Sequence, residues 1–99
     1  MEINVGGHNI IIHEAPLEIL RKFTQSKPHQ PESGGIILGK VYDNHIEIVK
    51  LSVPTSLDKS SRYNFERNKI SAQIIIDYEF LNSHGQVIYL GEWHTHPEN

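Results

Sequence analysis

Apolar residues recur along this chain at two periods, and polar breaks separate the runs. Asn9-Ile10-Ile11-Ile12-His13 is a short β-branched run and predicts a strand. Glu14-Ala15-Pro16-Leu17 opens a helix, because proline in a first turn gives up an N–H that has no intrahelical acceptor. Leu17, Leu20 and Phe23 form one apolar stripe of that helix, while Glu18, Arg21 and Lys22 face water. The prolines of Ser26-Lys27-Pro28-His29-Gln30-Pro31 end it. Ser33 through Tyr42 is apolar on both faces and predicts a central strand. Asp43-Asn44 makes a turn, and His45 through Val53 starts with the alternation of a paired antiparallel strand. Pro54 through Arg62 is polar and loop-like, and Tyr63-Asn64-Phe65 is a candidate short strand.

A second helix is predicted over Glu66 to Ser83, with Ile70, Ile74, Tyr78 and Leu81 on its apolar stripe. Ile74-Ile75-Ile76 carries strand propensity, and the length of the segment decides for helix. Ser83-His84-Gly85 supplies a C-terminal stop, and Val87 through Trp93 is the last strand. The order β-α-β-β-(β)-α-β predicts an α+β domain, a sheet covered by helices. The chain carries no repeat, linker or low-complexity segment, so residues 1–99 are expected to form a single domain.

Composition narrows the function. Hydrophobic content of 37% with 21% charge is ordinary globular material. A net charge of -3, from 9 Lys+Arg against 12 Asp+Glu with no like-charge run, gives a nucleic-acid partner no electrostatic support. With no cysteine, disulfides, thiol catalysis and thiolate ligands are all excluded, so a metal would need His, Asp or Glu. Met1 through Val5 lacks the basic start and long apolar stretch of a secretory leader, and no apolar run approaches membrane-spanning length. The expectation is a cytoplasmic protein with no membrane partner.

The candidate chemistry lies at Glu92-Trp93-His94-Thr95-His96-Pro97-Glu98-Asn99. Two histidines one residue apart at the end of a strand can aim both rings at one metal ion if the backbone turns, and Pro97 is a reason for it to turn. Residue types alone favour two solvated rings; the surrounding sequence reverses that. Gly91-Glu92-Trp93-His94-Thr95-His96-Pro97, read with Pro31-Glu32-Ser33-Gly34-Gly35-Ile36-Ile37-Leu38-Gly39, resembles the JAMM metalloprotease family, also called the JAB/MPN domain. That family's motif is an early Glu before a glycine-containing apolar strand, then H-x-H-P, then a Ser and an Asp. The resemblance runs from about Asn9 to Asn99. It is greatest to the bacterial JAB proteins found beside ubiquitin-like activating and conjugating enzymes, and Asn64-Phe65-Glu66-Arg67 agrees with that branch.

The resemblance implies a JAB/MPN-like central mixed sheet flanked by helices, lacking the last elements of the domain. It implies Zn2+ as cofactor, with His94 and His96 as metal ligands and Glu32 as the catalytic general base. The implied activity is that of a zinc metallo-isopeptidase, deubiquitinase-like, hydrolysing amide bonds at the C-terminus of ubiquitin-like or conjugated proteins. The substrate would be a protein with a ubiquitin-like or flexible C-terminal tail. The family's Asp and Ser have no counterpart in the three residues after His96. Three explanations stay open: a shortened chain, a naturally inactive relative, or substitution by Glu98 or the terminal carboxylate of Asn99. The expectation is impaired activity through the missing Asp, with uncovered apolar surface favouring self-association. The alternatives are a non-catalytic MPN-like scaffold and a hydrolase acting on a small sulfur-carrier protein.

The remaining candidates have plainer readings. His8, His13, His29, His45 and His84 are expected on the surface or at caps. Gly6-Gly7 and Gly34-Gly35 lack the Lys-Ser/Thr context of a phosphate loop, and Gly34-Gly35 is expected to allow close backbone approach near the site. Trp93 alternates away from His94 and is expected in the core.

Overall fold

A computed structural model of the chain describes residues 1–23, 32–53, 59–60, 65–66 and 68–95. Its elements run β1 (Glu2–Val5), β2 (His8–Ile12), α1 (Glu14–Lys22), β3 (Gly34–Val41), β4 (His45–Leu51), β5 (Lys59–Ser60), β6 (Phe65–Glu66), α2 (Lys69–Asn82) and β7 (Ile88–His94). Five strands form one mixed sheet in the order β1-β2-β4-β3-β7, and β5 pairs with β6 as a separate two-stranded piece. Among the described residues only the β2–β4 pairing is parallel. The α+β class is therefore observed, with β3 central as its two-faced apolar sequence predicts.

Strand β1 has no counterpart in the predicted order. It pairs with β2 through the two-residue turn Gly6-Gly7, whose φ angles of 58° and 84° are those a tight hairpin demands of its central residues. The glycine pair is thus a hairpin signal. The candidate strand at 63–65 is observed at Phe65–Glu66, with Tyr63 and Asn64 outside the described residues, and β5 falls inside the stretch expected to be loop. The second helix starts at Lys69 rather than Glu66, because the Asn68 side chain caps it by accepting the Ser71 N–H at 2.9 Å. Its end is as expected: Ser83 caps it, His84 (φ 58°) and Gly85 (φ 81°) turn left-handed, and the Gly85 N–H donates to the Phe80 carbonyl.

Alternation along β3 sends its side chains to two faces. Ile36 and Leu38, both fully buried, pack with Ala72 of α2 and with Val87, and Val49, Ile75 and Ile76 flank them. On α1, Leu17, Leu20 and Phe23 are half-buried while Glu18, Arg21 and Lys22 are exposed, as the stripe predicts. Phe23, at the end of α1, lies against Trp93 with ring centroids 6.0 Å apart. Trp93 is buried, as expected, and its indole N–H donates to the Ser52 carbonyl at 3.1 Å.

The stripe predicted for α2 is corrected by the structure. Ile70, Ile74, Tyr78 and Leu81 are exposed, and the helix buries Ala72 with Ile75 and Ile76 beside it. The helix is apolar around most of its circumference, so a helical period does not select one face. The face that packs is the one carrying Ala72, which is buried with Ile36, Leu38 and Val87. No described helix is long and apolar enough to cross a membrane.

Candidate functional site

The site grows from one end of the β3–β7 pairing. Gly35 lies opposite Trp93 and Gly34 opposite His94. The pairing continues one residue further in altered form. The Thr95 N–H donates to the Ser33 carbonyl at 2.8 Å, and the Ser33 N–H donates to the Thr95 hydroxyl at 3.0 Å. These contacts put Glu32, next to Ser33, beside the strand end that carries His94.

Glycine is required for space at Gly35, one of the two residues expected to allow close backbone approach. A Cβ on Gly35 would lie 2.4 Å from the Ser52 carbonyl oxygen, 2.5 Å from its hydroxyl and 3.0 Å from the Trp93 Nε1. Ser52 itself ties the three strands together: its hydroxyl accepts the Ile36 N–H at 2.9 Å and its N–H donates to the Ile36 carbonyl at 3.0 Å. The backbone that leads into Glu32 is therefore fixed from both sides.

Glu32 is 6% exposed, which makes it a buried carboxylate in a small domain. Such a placement is costly and calls for specific compensation. His94 is exposed and ends β7, on the opposite face to Trp93. His96, Pro97, Glu98 and Asn99 lie outside the described residues, as do His29 and the Ser26–Pro31 breaker. Among the described residues no group of three His, Asp or Glu side chains is arranged to hold a metal. Of the three predicted site residues, two are thus placed, and they share one end of the sheet.

Two features escaped the sequence. Thr95 is visible in the motif only as the residue between two histidines, and its role needs the partner strand. The second is a polar cluster across the sheet, where Glu47 accepts from His13 Nε2 at 2.7 Å and from His45 Nε2 at 3.2 Å. These two hydrogen bonds, that of His13 first, hold the Glu47 carboxyl below its ordinary range. The pair His45 and Glu47 is legible as two same-face residues of a strand. His13 joins them because the parallel β2–β4 register sets Ile11 beside Glu47, two residues before it. His13 does occupy the N-cap position of α1, but its ring bonds Glu47 and not the helix.

The chain is 40% identical over 86 residues to a CD-NTase/cGAS isopeptidase of Pseudomonas aeruginosa (strain BWHPSA011 / Pa011), covering 87% of this chain and 54% of that protein. It is 36% identical over 93 residues to a CD-NTase/cGAS isopeptidase of Escherichia coli (strain TW11681), covering 94% and 59%. A protein of the same name from Vibrio cholerae serotype O1 is 38% identical over 69 residues, covering 70% and 44%. The chain spans about half the length of the curated relatives it matches. The sequence profile of prokaryotic homologs of the JAB domain matches residues 14–99, a stretch that includes Glu32, both histidines and every element from α1 to β7, and the chain belongs to that family.

Proposed function

We propose that this domain is a zinc-dependent isopeptidase module that hydrolyses the amide bond joining the C-terminal tail of a ubiquitin-like or other conjugated protein to its target. The observation that carries the reading is the buried Glu32 carboxylate held beside the strand end that bears His94. Membership of the JAB family and the isopeptidase names of the relatives support the reaction class.

The donor types suit zinc: imidazole, with a carboxylate nearby and no thiolate anywhere in the chain. His94 and His96 would hold the ion, which when bound polarises a carbonyl and acidifies water. Glu32 accepts the proton of the attacking water and returns one to the leaving amine. Its burial keeps the carboxylate apart from bulk water and ready for both transfers. Among the described residues β7 is an edge strand, so an extended tail can lie along it as an added strand.

Zinc calorimetry on the whole chain, beside His94→Ala/His96→Ala and Glu32→Gln, tests this. The expected result is one zinc per chain, lost in the double variant and kept in Glu32→Gln. Hydrolysis of an isopeptide-linked ubiquitin-like conjugate should fall about 100-fold or more in Glu32→Gln. Zinc uptake indifferent to the two histidines, or full turnover without Glu32, overturns the reading. A scaffold without catalysis is the second reading, favoured by the exposed apolar face of α2. It predicts neither zinc dependence nor an effect of Glu32→Gln.

A further inference from the structure

We propose that the Thr95 hydroxyl is a positioning group that fixes Glu32 relative to His94. The inference rests on the reading that Glu32 and the histidines act together. It starts from an irregularity in the pairing. After Gly34 opposite His94, a continued antiparallel ladder would have Ser33 and Thr95 exchange two backbone hydrogen bonds. One is made, from the Thr95 N–H to the Ser33 carbonyl at 2.8 Å. In place of the other, the Ser33 N–H donates to the Thr95 hydroxyl at 3.0 Å. The hydroxyl also lies 3.4 Å from the Ser33 carbonyl, too long for a strong O–H···O bond, so it acts mainly as the acceptor.

The substitution of a side-chain oxygen for a backbone oxygen has two consequences. The register of β3 against β7 is carried one residue past the last ladder pair. At the same time the Thr95 carbonyl does not take the Ser33 N–H that a continued ladder would give it. Ser33 is covalently next to Glu32, and Thr95 lies between His94 and His96. One hydroxyl therefore ties the placement of the base to the strand end that carries His94. Ser33 and Glu32 are buried, so the Ser33 N–H cannot trade this acceptor for water at no cost. Thr95 holds other residues in place and is not itself a catalytic residue.

Thr95→Val removes the hydroxyl at nearly constant shape, and Thr95→Ser restores it. Thr95→Ala serves as the hydroxyl-free variant if valine prevents folding. All are compared in the 99-residue chain, with folding checked by circular dichroism and Trp93 fluorescence. Without metal, amide exchange at Ser33 should speed up at least tenfold in Thr95→Val and return to wild-type protection in Thr95→Ser. With zinc alone, calorimetry should show affinity about 10- to 100-fold weaker in Thr95→Val and restored in Thr95→Ser, the range of groups that orient metal ligands. A merely structural role would lower the unfolding midpoint and leave the zinc affinity of the folded variant unchanged, and that result overturns the proposal. So does a Thr95→Ser variant as impaired as Thr95→Val. A wild-type chain that takes up no zinc overturns the zinc reading, and Ser33 exchange then decides the clamp by itself: unchanged protection in Thr95→Val refutes it.

Discussion

The β3–β7 seam and the outer face of α2 are made of similar residues that end in opposite environments. Ile36 and Leu38 in β3 are completely buried, whereas Ile70 and Leu81 in α2 are each 74% exposed. Strand pairing explains the difference. Ile36 is paired with Glu92 of β7, and Leu38 with both Lys50 of β4 and Tyr89 of β7, so register gives each side chain one face, and for these two that face is filled. The helix has no such partner: it meets the sheet through Ala72, Ile75 and Ile76 and leaves its other apolar side outward, where it borders a groove of about 440 Å³ beside Leu51 and Val53. Hydrophobicity supplies the drive to bury, and pairing decides which residue is buried.

The contrast can be broken by two matched substitutions. Ile36→Ala should destabilise the domain by about 2–5 kcal/mol, through lost burial and the cavity left behind. Ile74→Ala removes the same atoms from an exposed position and should change stability by less than about 0.5 kcal/mol. Urea midpoints of the two variants measure the difference. Equal losses would mean that the α2 face is covered in solution, and light scattering on Ile74→Ser against wild type would then show whether a second copy covers it.

A smaller effect sharpens the seam itself. Gly35→Ala adds one methyl against the Ser52 carbonyl, with the Trp93 indole close by. Overpacking of this kind should cost about 1–3 kcal/mol. The loss should come with faster exchange of the Ile36 amide, which depends on the Ser52 hydroxyl. A Gly35→Ala protein with wild-type midpoint and wild-type exchange would show that the close approach of the three strands is not what fixes this end of the sheet.

These two regions also mark what could be read in advance. The apolar run of β3 and the alternation of β4 were legible because a buried strand leaves a pattern at every position. The expected positions of Glu32 just before a glycine-containing strand and of His94 at the end of the last strand were legible for the same reason, and the structure has Glu32 ahead of β3 and His94 ending β7. The α2 stripe misled because Ile70, Ile74, Tyr78 and Leu81 keep helical spacing on a helix that is apolar nearly all round. The hairpin at Gly6-Gly7 was legible in principle, since two consecutive glycines between short runs permit the left-handed turn found there. Thr95 and the His13–Glu47–His45 cluster were not, because each depends on residues brought together from distant parts of the chain.

The smallest predicted effect separates the seam from the sheet's other half. Glu47 lies in β4, opposite Lys40 of β3 and beside Ile11 of β2, and its carboxylate joins His13 at the start of α1 to His45. Both contacts favour the ionised carboxylate, so its pKa in the folded chain lies below the ordinary glutamate value of about 4.3. A carboxyl with a depressed folded pKa contributes stability that is fully present above the unfolded value and lost as pH falls through the folded one. The domain should therefore weaken as pH drops below about 5, and Glu47→Gln should flatten that slope by lowering stability at pH 7 and leaving it unchanged at low pH, a small effect because the group is near the surface. Urea midpoints between pH 3 and pH 7 measure the slope in both proteins. Amide exchange followed over the same range places the effect: the start of α1 should lose protection before Ile36 does. Simultaneous loss at both would show that the seam and the α1 tether unfold as one unit, and that the difference in burial across this sheet has no counterpart in local stability.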